Sequence, residues 1–329
     1  MNLNEIKDYL DRDWKRTANY IEDSLKSDID LLDKTNRSIL SHSGKQLRPL
    51  VALLVARACS PGNTADEDSC RYAAGAELLH NATLLHDDVA DDSDQRRGMP
   101  TIRSMMGPSV SVLIGDYWLV KAMGLILESR TDTGKVIRLF SRTLSDLAEG
   151  EILQLQKARS GDTDENDYIR IIFNKTASLF EAAAVSAAIS VKAGEDTIRA
   201  VREYAVSLGL AFQIRDDIFD YSPEMDTGKP AGVDILEQKI TLPLLGAFRN
   251  AGKEKESAIR ERIGRISENP GQTREEILSF VRENKGIDYA RKVLDSYIGK
   301  AVDALKQLPE SQDRTYLEEL AHFVAERQS

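Results

Sequence analysis

The chain has 329 residues, of which 41% are hydrophobic and 30% are charged, and its formal net charge is −10. This length can bury a large core, and the acidic balance argues against a nucleic-acid partner. Two cysteines, Cys59 and Cys70, lack the spacing of a metal or redox pair and indicate a reducing compartment, which we take to be the cytoplasm. The polar, acidic N-terminus does not fit a secretory signal, and we expect no apolar run to reach the ~20 residues of a membrane span.

Helical periodicity dominates the sequence, and no series with the period of a strand stands out. The predicted helical stretches, in chain order, are residues 3–33 (one or two helices), 50–58, 66–90, 110–129, 136–157, 167–193, 197–221, 239–249 and the charged surface segment 252–285. Turn-forming residues predict loops at 60–64, 92–108 and 222–237. Because no linker of domain scale interrupts this series, we predict an all-α fold in a single domain over residues 1–329.

Two acidic clusters stand at the ends of predicted helices. The first triad consists of Asp87, Asp88 and Asp91. The second triad consists of Asp216, Asp217 and Asp220. In both triads the spacing is i, i+1, i+4, so the outer two aspartates share one helix face. A single acidic triplet is more often a solvated helix face, but two copies beside apolar runs favour a chemical role.

The role that we infer for the triads is binding of divalent metal. Six carboxylates facing one cavity would repel each other and raise their own pKa values unless cations lay between them. Mg²⁺ suits such a site because it takes oxygen ligands and is usually held by a few carboxylates together with substrate phosphates. The two triads are therefore expected to grip one diphosphate from both sides.

Basic residues accompany the triads. Lys45 and Arg48 are three residues apart and would share a face if the segment is helical. Further cations in loops or at predicted helix ends are Arg96, Arg97, Lys175, Lys229 and Lys239. Arginine binds phosphate oxygens as a fork and lysine as a point charge, whereas any one of these residues alone could be an ordinary surface charge. With His80, they predict a direct anion site beside the metal-mediated one, as two phosphorylated substrates require.

An ordered set of motifs identifies the chain as similar to a known family. They are Gly44-Lys45-x-x-Arg48-Pro49, Leu84-Leu85-His86-Asp87-Asp88-x-x-Asp91, Arg96-Arg97-Gly98-x-Pro100-Thr101, Gly115-Asp116, Lys175-Thr176-Ala177, Phe212-Gln213-Ile214-x-Asp216-Asp217-x-x-Asp220, Gly228-Lys229 and Lys239-x-Thr241-Leu242-Pro243. This set resembles the trans-isoprenyl diphosphate synthases, and within them the long-chain, octaprenyl-like branch. The resemblance runs from about residue 40 to the region of Arg327.

The resemblance implies a fold, substrates and a cofactor. The family fold has about a dozen mostly antiparallel helices around a central cavity, usually in a homodimer. The reaction joins isopentenyl diphosphate to an allylic diphosphate, head to tail and trans, through ionisation, condensation and elimination. The family uses Mg²⁺, roughly three ions per site, and Mn²⁺ can substitute. A peripheral membrane contact is compatible with release of the long product.

The resemblance also implies residue roles. Both triads would hold Mg²⁺ on the allylic diphosphate. Direct contacts to that diphosphate would come from Arg96, Lys175 and Lys229. The isopentenyl diphosphate site would consist of Lys45, Arg48, His80 and Arg97, and Lys239 is a further substrate-binding residue. Thr176 and Gln213 would point oxygen dipoles at the developing cation. Two departures from the family pattern, Arg215 and Gln238, put local diphosphate contacts in doubt.

Product length should depend on what lies beneath the first triad. Ala82 and Thr83 precede Asp87 by about one helical turn and are small, where short-chain relatives often carry a large aromatic residue. With Gly75 further down, they predict a tunnel for a long product, for which Met123 is a candidate floor. The alternative is that Ala82 only packs against a neighbouring helix.

Several other functions compete with that of a long-chain synthase. A class I terpene cyclase usually carries a different second motif, and a catalytically silent synthase subunit commonly lacks aspartates that are present here. A short-chain farnesyl or geranylgeranyl diphosphate synthase remains the main alternative. Nucleotide-binding folds are excluded because no glycine-rich turn joins a strand to a helix.

We expect closure of the 92–108 and 222–237 loops to exclude water, and the proton to leave with diphosphate, since no side-chain base is evident.

Overall fold

The computed structural model describes residues 2–42, 44–96, 98–222 and 231–326. Helices make up nearly all of the regular structure in these ranges, which confirms the predicted all-α class. The helices before residue 161 are α1 (Leu3–Leu25), α2 (Asp30–Ser41), α3 (Leu47–Cys59), α4 (Glu67–Ala90), α5 (Ile102–Met106), α6 (Pro108–Leu127) and α7 (Thr133–Ser160). Those that follow are α8 (Glu165–Ile172), α9 (Ser178–Ser190), α10 (Glu195–Asp220), α11 (Val233–Leu236), α12 (Leu242–Ala251), α13 (Lys253–Gly264), α14 (Pro270–Glu283), α15 (Gly286–Leu305) and α16 (Gln312–Glu326).

The chain divides into two compact units, neither of which is a continuous segment. Unit 1 comprises Met1–Ser141, Leu179–Arg202 and Leu305–Glu319. Unit 2 comprises Arg142–Ser178, Glu203–Ala304 and Leu320–Ser329. A single domain over residues 1–329 stays a prediction.

In unit 1 the core is built around α4. Its side chains Tyr72, Leu78 and Leu79 are fully buried, and each apolar side chain of this size contributes about 1.5–3 kcal/mol on burial. Gly75 allows α6 to approach closely, since a Cβ atom there would lie 3.2 Å from Cγ1 of Ile126. This contact accounts for the small size of Gly75, so the predicted tunnel depends on Ala82 and Thr83.

A buried polar contact fixes α6 against the start of the chain. The fully buried Trp118 indole donates a hydrogen bond to Oδ1 of Asn36 at 2.8 Å. The Asn36 amide in turn donates to the carbonyl of Leu25 at 2.8 Å. Because these buried groups have partners, the cost of their desolvation is offset and α6 has a defined position.

In unit 2 the apolar helix α12 lies in the core. It begins at Leu242, three residues later than the predicted 239–249 segment, with Pro243 in its first turn, where the missing N–H carries no penalty. Gly246 lets α15 approach, since a Cβ atom there would lie 2.7 Å from Cβ of Tyr289. The predicted burial of this segment is confirmed.

Local structure differs from the sequence prediction at several places. The predicted 92–108 loop contains α5 and a two-stranded hairpin, β1 (Gln95–Arg96) and β2 (Met99–Pro100). The predicted 3–33 stretch, for which the sequence allows one or two helices, forms two, separated at residues 26–29. The predicted 167–193 helix contains a π-helical turn at Phe173–Ala177, and α11 lies in the predicted 222–237 loop. Strands of two residues are too short to produce a visible alternation.

One of the described helices, α6, is long and apolar enough to cross a membrane by length and composition. The sequence predicts no uninterrupted apolar run of that length, and α6 meets the criterion of length and composition with two charged residues, Asp116 and Lys121, within it. Only 39% of its most apolar window is buried within the single chain. Core helices of soluble proteins pass the same test, so the finding is weak support for a membrane span.

Candidate active site

The first triad lies at the C-terminal end of α4, as predicted. Asp87 and Asp88 are in the last turn, and Asp91 is the C-cap residue, whose N–H donates to the carbonyl of Asp87 at 2.8 Å. Carboxylates at this end of a helix oppose its dipole, at a cost of about 0.3–1 kcal/mol each. A cation bound by these side chains would remove that cost.

The hairpin β1–β2 brings Arg96, which the sequence predicts to bind diphosphate, next to this triad. Asp88 is buried, with 4% of its surface exposed, and accepts a hydrogen bond from Nε of Arg96 at 2.7 Å. The hairpin is held by Thr101, whose hydroxyl donates to the carbonyl of Ser93 at 2.8 Å. Arg97 lies outside the described residues.

Other predicted residues of α4 lie on the same helix. The half-buried His80 lies two turns before Asp87 and on the same side of the helix. Ala82 is fully buried, which suits both a tunnel lining and ordinary helix packing. The half-buried Thr83 donates its hydroxyl hydrogen bond to the carbonyl of His80 at 2.8 Å.

The motif Gly115-Asp116 has a packing function beside the first triad. A Cβ atom on Gly115 would lie 2.4 Å from Nε2 of His86, so only glycine leaves room for that ring. The same nitrogen lies 3.3 Å from Oδ1 of Asp116. The pair therefore fixes the residue that immediately precedes Asp87.

Lys45 and Arg48 would share a face only if their segment were helical, and the helix that contains Arg48 does not include Lys45. Lys45 precedes α3, and Gln46, the residue before that helix, has a left-handed backbone with φ of 56°. Arg48 is buried in the first turn of α3, and its guanidinium lies 4.6 Å from the ring centroid of Phe180. Such cation–π contacts hold an arginine in place while its N–H groups can still reach an anion.

The second triad lies in the last turns of α10, again at the negative end of a helix dipole. Its central member, Asp217, is buried, with 5% of its surface exposed. Oδ1 of Asp217 accepts from the Gln213 amide at 2.9 Å, and Oδ2 accepts from the Tyr168 hydroxyl at 2.6 Å. Gln213 also accepts from the Thr176 hydroxyl at 2.8 Å. Thus the structure brings together Thr176, Gln213 and Asp217, which the sequence singled out separately.

Electrostatics disfavours the charged form of this triad in the absence of a cation. The pKa of Asp217 is raised to about 7, chiefly by burial and also by the charges of Asp216 and Asp220, whereas the hydrogen bonds from Tyr168 and Gln213 act in the opposite direction. Burial also raises the pKa of Asp220, against the effect of the backbone N–H groups that it accepts. A bound cation would favour the ionised form of both carboxylates.

Asp220 is also tied to the segment that follows the second triad. Its carboxylate accepts from the backbone N–H groups of Val233 at 2.9 Å and Asp234 at 3.1 Å. Each carboxylate oxygen has a second lone pair, so these bonds leave room for a further ligand. Lys229, predicted in the same stretch, lies outside the described residues.

Lys175 lies in the π-helical turn that interrupts the predicted helix. Its Nζ lies 2.5 Å from Oε1 of Glu151 and donates to the Gln154 side chain at 3.0 Å, both on α7. Gly150 of α7 makes this approach possible, since a Cβ atom there would lie 2.8 Å from Cβ of Asn174. Such single π turns occur frequently at functional sites.

The two departures from the family pattern have structural explanations. Arg215 is buried and stacks over Phe219, one turn later, at 4.7 Å from its ring centroid. Gln238 has a left-handed backbone with φ of 60°, which explains why a small residue is common there. Lys239, which follows, has its Nζ 2.5 Å from Oε2 of Glu237.

Sequence reasoning missed Tyr168, which belongs to this site through Asp217. It lies on α8, seven residues before Lys175, and the two positions would share a face of a regular helix. This spacing from Lys175 is the feature of the sequence that could have pointed to Tyr168. The pairing itself spans 49 residues of sequence and could not be read from local pattern.

The donor set fits Mg²⁺. Within the described ranges, no group of three or more His, Cys, Asp or Glu side chains is placed to hold a metal ion. Mg²⁺ is usually held by one or two carboxylates, with water and phosphate oxygens as the other ligands. The outer aspartates of each triad, one turn apart on one face, offer oxygen ligands of this kind.

Comparison with known proteins assigns the chain to a family. The polyprenyl synthetase family model matches residues 29–280. Octaprenyl diphosphate synthase from Haemophilus influenzae is 36% identical over 99% of this chain and 98% of that protein. All-trans-nonaprenyl-diphosphate synthase (geranyl-diphosphate specific) from Rhodobacter capsulatus is 37% identical over 96% of this chain and 95% of that protein.

A solved structure shares the fold over its whole length. Polyprenyl synthase from Caulobacter crescentus, complexed with calcium and isoprenyl diphosphate, has a TM-score of 0.90 and 32% identity, covering 100% of this chain and 98% of that one. The predicted isoprenoid synthase fold is thereby confirmed. With a family match over most of its length and full-length relatives above 30% identity, this chain belongs to the polyprenyl synthetase family.

Proposed function

We propose that this protein condenses isopentenyl diphosphate with an allylic diphosphate, head to tail and trans, to make a long-chain polyprenyl diphosphate. As a member of the polyprenyl synthetase family it is a prenyltransferase, and its substrates are isoprenoid diphosphates. The observation that carries the proposal is full-length similarity to octaprenyl and nonaprenyl diphosphate synthases together with two intact aspartate triads.

The proposed cofactor is Mg²⁺, roughly three ions per site, with Mn²⁺ as a substitute. Carboxylate oxygens would come from both triads, that is from Asp87, Asp88, Asp91, Asp216, Asp217 and Asp220. When bound, Mg²⁺ neutralises charge that develops on the leaving diphosphate. The calcium named with the Caulobacter crescentus protein is a divalent cation of the same oxygen-binding kind.

Basic side chains would hold the two diphosphates directly. Arg96, paired with Asp88, and Lys175, paired with Glu151, are preorganised next to carboxylates and would contact the allylic diphosphate. The buried cation of Arg48 would bind isopentenyl diphosphate with Lys45 and His80. We also assign Arg97 and Lys229 to these two sites, from the sequence. Such fixed charges stabilise a leaving anion because they need no reorganisation during reaction.

Thr176 would stabilise the allylic cation. Its hydroxyl proton is donated to Gln213, so the lone pairs of its oxygen remain available toward positive charge. Gln213 would act by orienting this oxygen, since both ends of its amide are hydrogen-bonded. The two substrates held side by side would then react by proximity, and the released diphosphate would take the proton.

We further propose that the protein is a cytoplasmic homodimer. Three side chains of α6 with heptad spacing, Leu113, Val120 and Leu127, are 67%, 65% and 58% exposed in the single chain. An exposed apolar stripe of this kind is typical of a protein–protein interface. The spacing of Cys59 and Cys70, which does not suit a metal or redox pair, favours a reducing compartment.

The test is incorporation of labelled isopentenyl diphosphate by purified protein with farnesyl diphosphate as primer. We expect incorporation into an acid-labile product with Mg²⁺, and loss of incorporation after chelation with EDTA that added Mg²⁺ or Mn²⁺ reverses. Release of a hydrocarbon from the primer alone would indicate a cyclase. Absence of turnover in folded protein would indicate a silent subunit, and either result would contradict the proposal.

A further inference from the structure

A row of four side chains in unit 2, which we call the Asp217 relay, holds the second triad in place. It runs from Thr176 through Gln213 and Asp217 to Tyr168. The three hydrogen bonds are 2.8, 2.9 and 2.6 Å long, all within the normal range. Both carboxylate oxygens of Asp217 therefore have a side-chain donor.

The two ends of the relay come from one stretch of chain. Tyr168 is on α8, which continues directly into the π-helical turn that carries Thr176. The middle of the relay, Gln213 and Asp217, is on α10, one turn apart. The start of α8 is fixed by a capping box, in which the side chains of Asp164 and Asp167 each accept from the other's backbone N–H. Thus the relay fastens a capped helical segment to α10 at two points.

Tyr168 is more buried than Asp217 and Thr176, which are 5% and 6% exposed. Only 2% of its surface is exposed, and its hydroxyl makes a short hydrogen bond to a carboxylate. Tyr72, which is also fully buried, instead donates its hydroxyl hydrogen bond to the backbone carbonyl of Thr131 at 3.2 Å. The partner of Tyr168 is thus a carboxylate of an acidic triad, whereas that of Tyr72 is a backbone carbonyl.

We propose that Tyr168 is a positioning residue for the second triad, and that its hydroxyl sets the affinity of that triad for divalent cation. By holding Oδ2 of Asp217 it fixes the rotamer of this carboxylate, and through Gln213 it fixes the oxygen of Thr176. The inference rests on the proposed function, because it assumes that the triad binds metal. Groups that orient metal-binding side chains typically change metal affinity about 10- to 100-fold when they are removed.

The test compares Tyr168→Phe with Tyr72→Phe, which also removes one hydroxyl from a fully buried tyrosine. The probe is Mn²⁺ alone, and the readout is the electron paramagnetic resonance signal of free Mn²⁺ during titration of the full chain. We expect Tyr168→Phe to bind Mn²⁺ about 10- to 100-fold more weakly than wild type. We expect Tyr72→Phe to bind Mn²⁺ as wild type does. Its thermal unfolding temperature should be similar to that of Tyr168→Phe.

A second variant and a double-mutant cycle distinguish an effect on Mn²⁺ binding from a general effect on folding. Thr176→Val removes the hydroxyl at the other end of the relay and is expected to weaken Mn²⁺ binding by a smaller factor than Tyr168→Phe. Combined with Asp217→Asn, the Tyr168→Phe change should add little further loss, because its partner charge is already gone. Wild-type Mn²⁺ affinity in Tyr168→Phe would overturn the inference, whatever the affinity of Thr176→Val. Failure of the wild-type chain to bind Mn²⁺ would instead contradict the proposed metal requirement, and the inference with it.

Discussion

At the scale of single residues, the placement of the aspartates is the clearest sign of function. Both triads lie where the helix dipole opposes negative charge, and their central members, Asp88 and Asp217, are buried. A sequence selected only for stability would not keep carboxylates there. The cost is explained if cations bind at both helix ends.

The first prediction concerns an outer aspartate of the second triad. We expect Asp216→Ala to lower turnover by at least about 100- to 1000-fold, because it removes a carboxylate proposed to hold metal during departure of the diphosphate. Asp196→Ala, in the first turn of the same helix and exposed, is the matched control and should retain activity. Steady-state incorporation of isopentenyl diphosphate measures both, and near-normal turnover of Asp216→Ala would remove the metal assignment.

At the scale of elements, the π-helical turn at Phe173–Ala177 gives the site its local shape. It carries Lys175 and Thr176 and lies against α7 at Gly150, where no side chain fits. An inserted Cβ atom would overlap Asn174 and Lys175, so the turn and α7 are matched to each other.

The second prediction follows from that contact. Gly150→Ala should destabilise the protein by about 1–3 kcal/mol through overpacking, and should also lower activity by displacing Lys175. Gly299→Ala is the control, since a Cβ atom there meets nothing within 4 Å and should stabilise by about 0.4–1 kcal/mol. Chemical denaturation measures both changes. An unchanged midpoint for Gly150→Ala would mean that α7 does not constrain the turn.

The third prediction concerns the helix beneath the first triad. Ala82→Phe should shift the product distribution to shorter chains, because an aromatic ring one turn from Asp87 would block a tunnel there. Ala301→Phe, at another fully buried alanine, controls for general destabilisation and should leave product length unchanged. If chromatography finds the wild-type distribution in Ala82→Phe, then Ala82 serves only helix packing.

How well the sequence predicts an element depends on whether the interactions that form it join residues that are close in the sequence. Helix α4 was predicted at 66–90 and lies at Glu67–Ala90, because its periodicity and its Asp66 cap are local features. The π-helical turn was not predicted, because it depends on contact with Gly150 on another helix. The Tyr168–Asp217 hydrogen bond was likewise missed, because its partners lie 49 residues apart in the sequence.

At the scale of the whole molecule, α6 exposes large apolar side chains in the single chain, among them Leu113, Val120 and Leu127. The fourth prediction is that Leu113→Asp combined with Val120→Asp yields a monomer, because two charges would have to be desolvated at the proposed interface. Sedimentation equilibrium should give a dimer mass for wild type and a monomer mass for the double variant. A wild-type monomer at micromolar concentration would contradict the homodimer.

The length of the product tests the central claim most directly. Purified protein is incubated with Mg²⁺, farnesyl diphosphate and labelled isopentenyl diphosphate, and the dephosphorylated alcohols are separated by reversed-phase chromatography. We predict that the main product falls in the octaprenyl to nonaprenyl range. Accumulation of geranylgeraniol, with nothing longer at saturating isopentenyl diphosphate, would contradict the account.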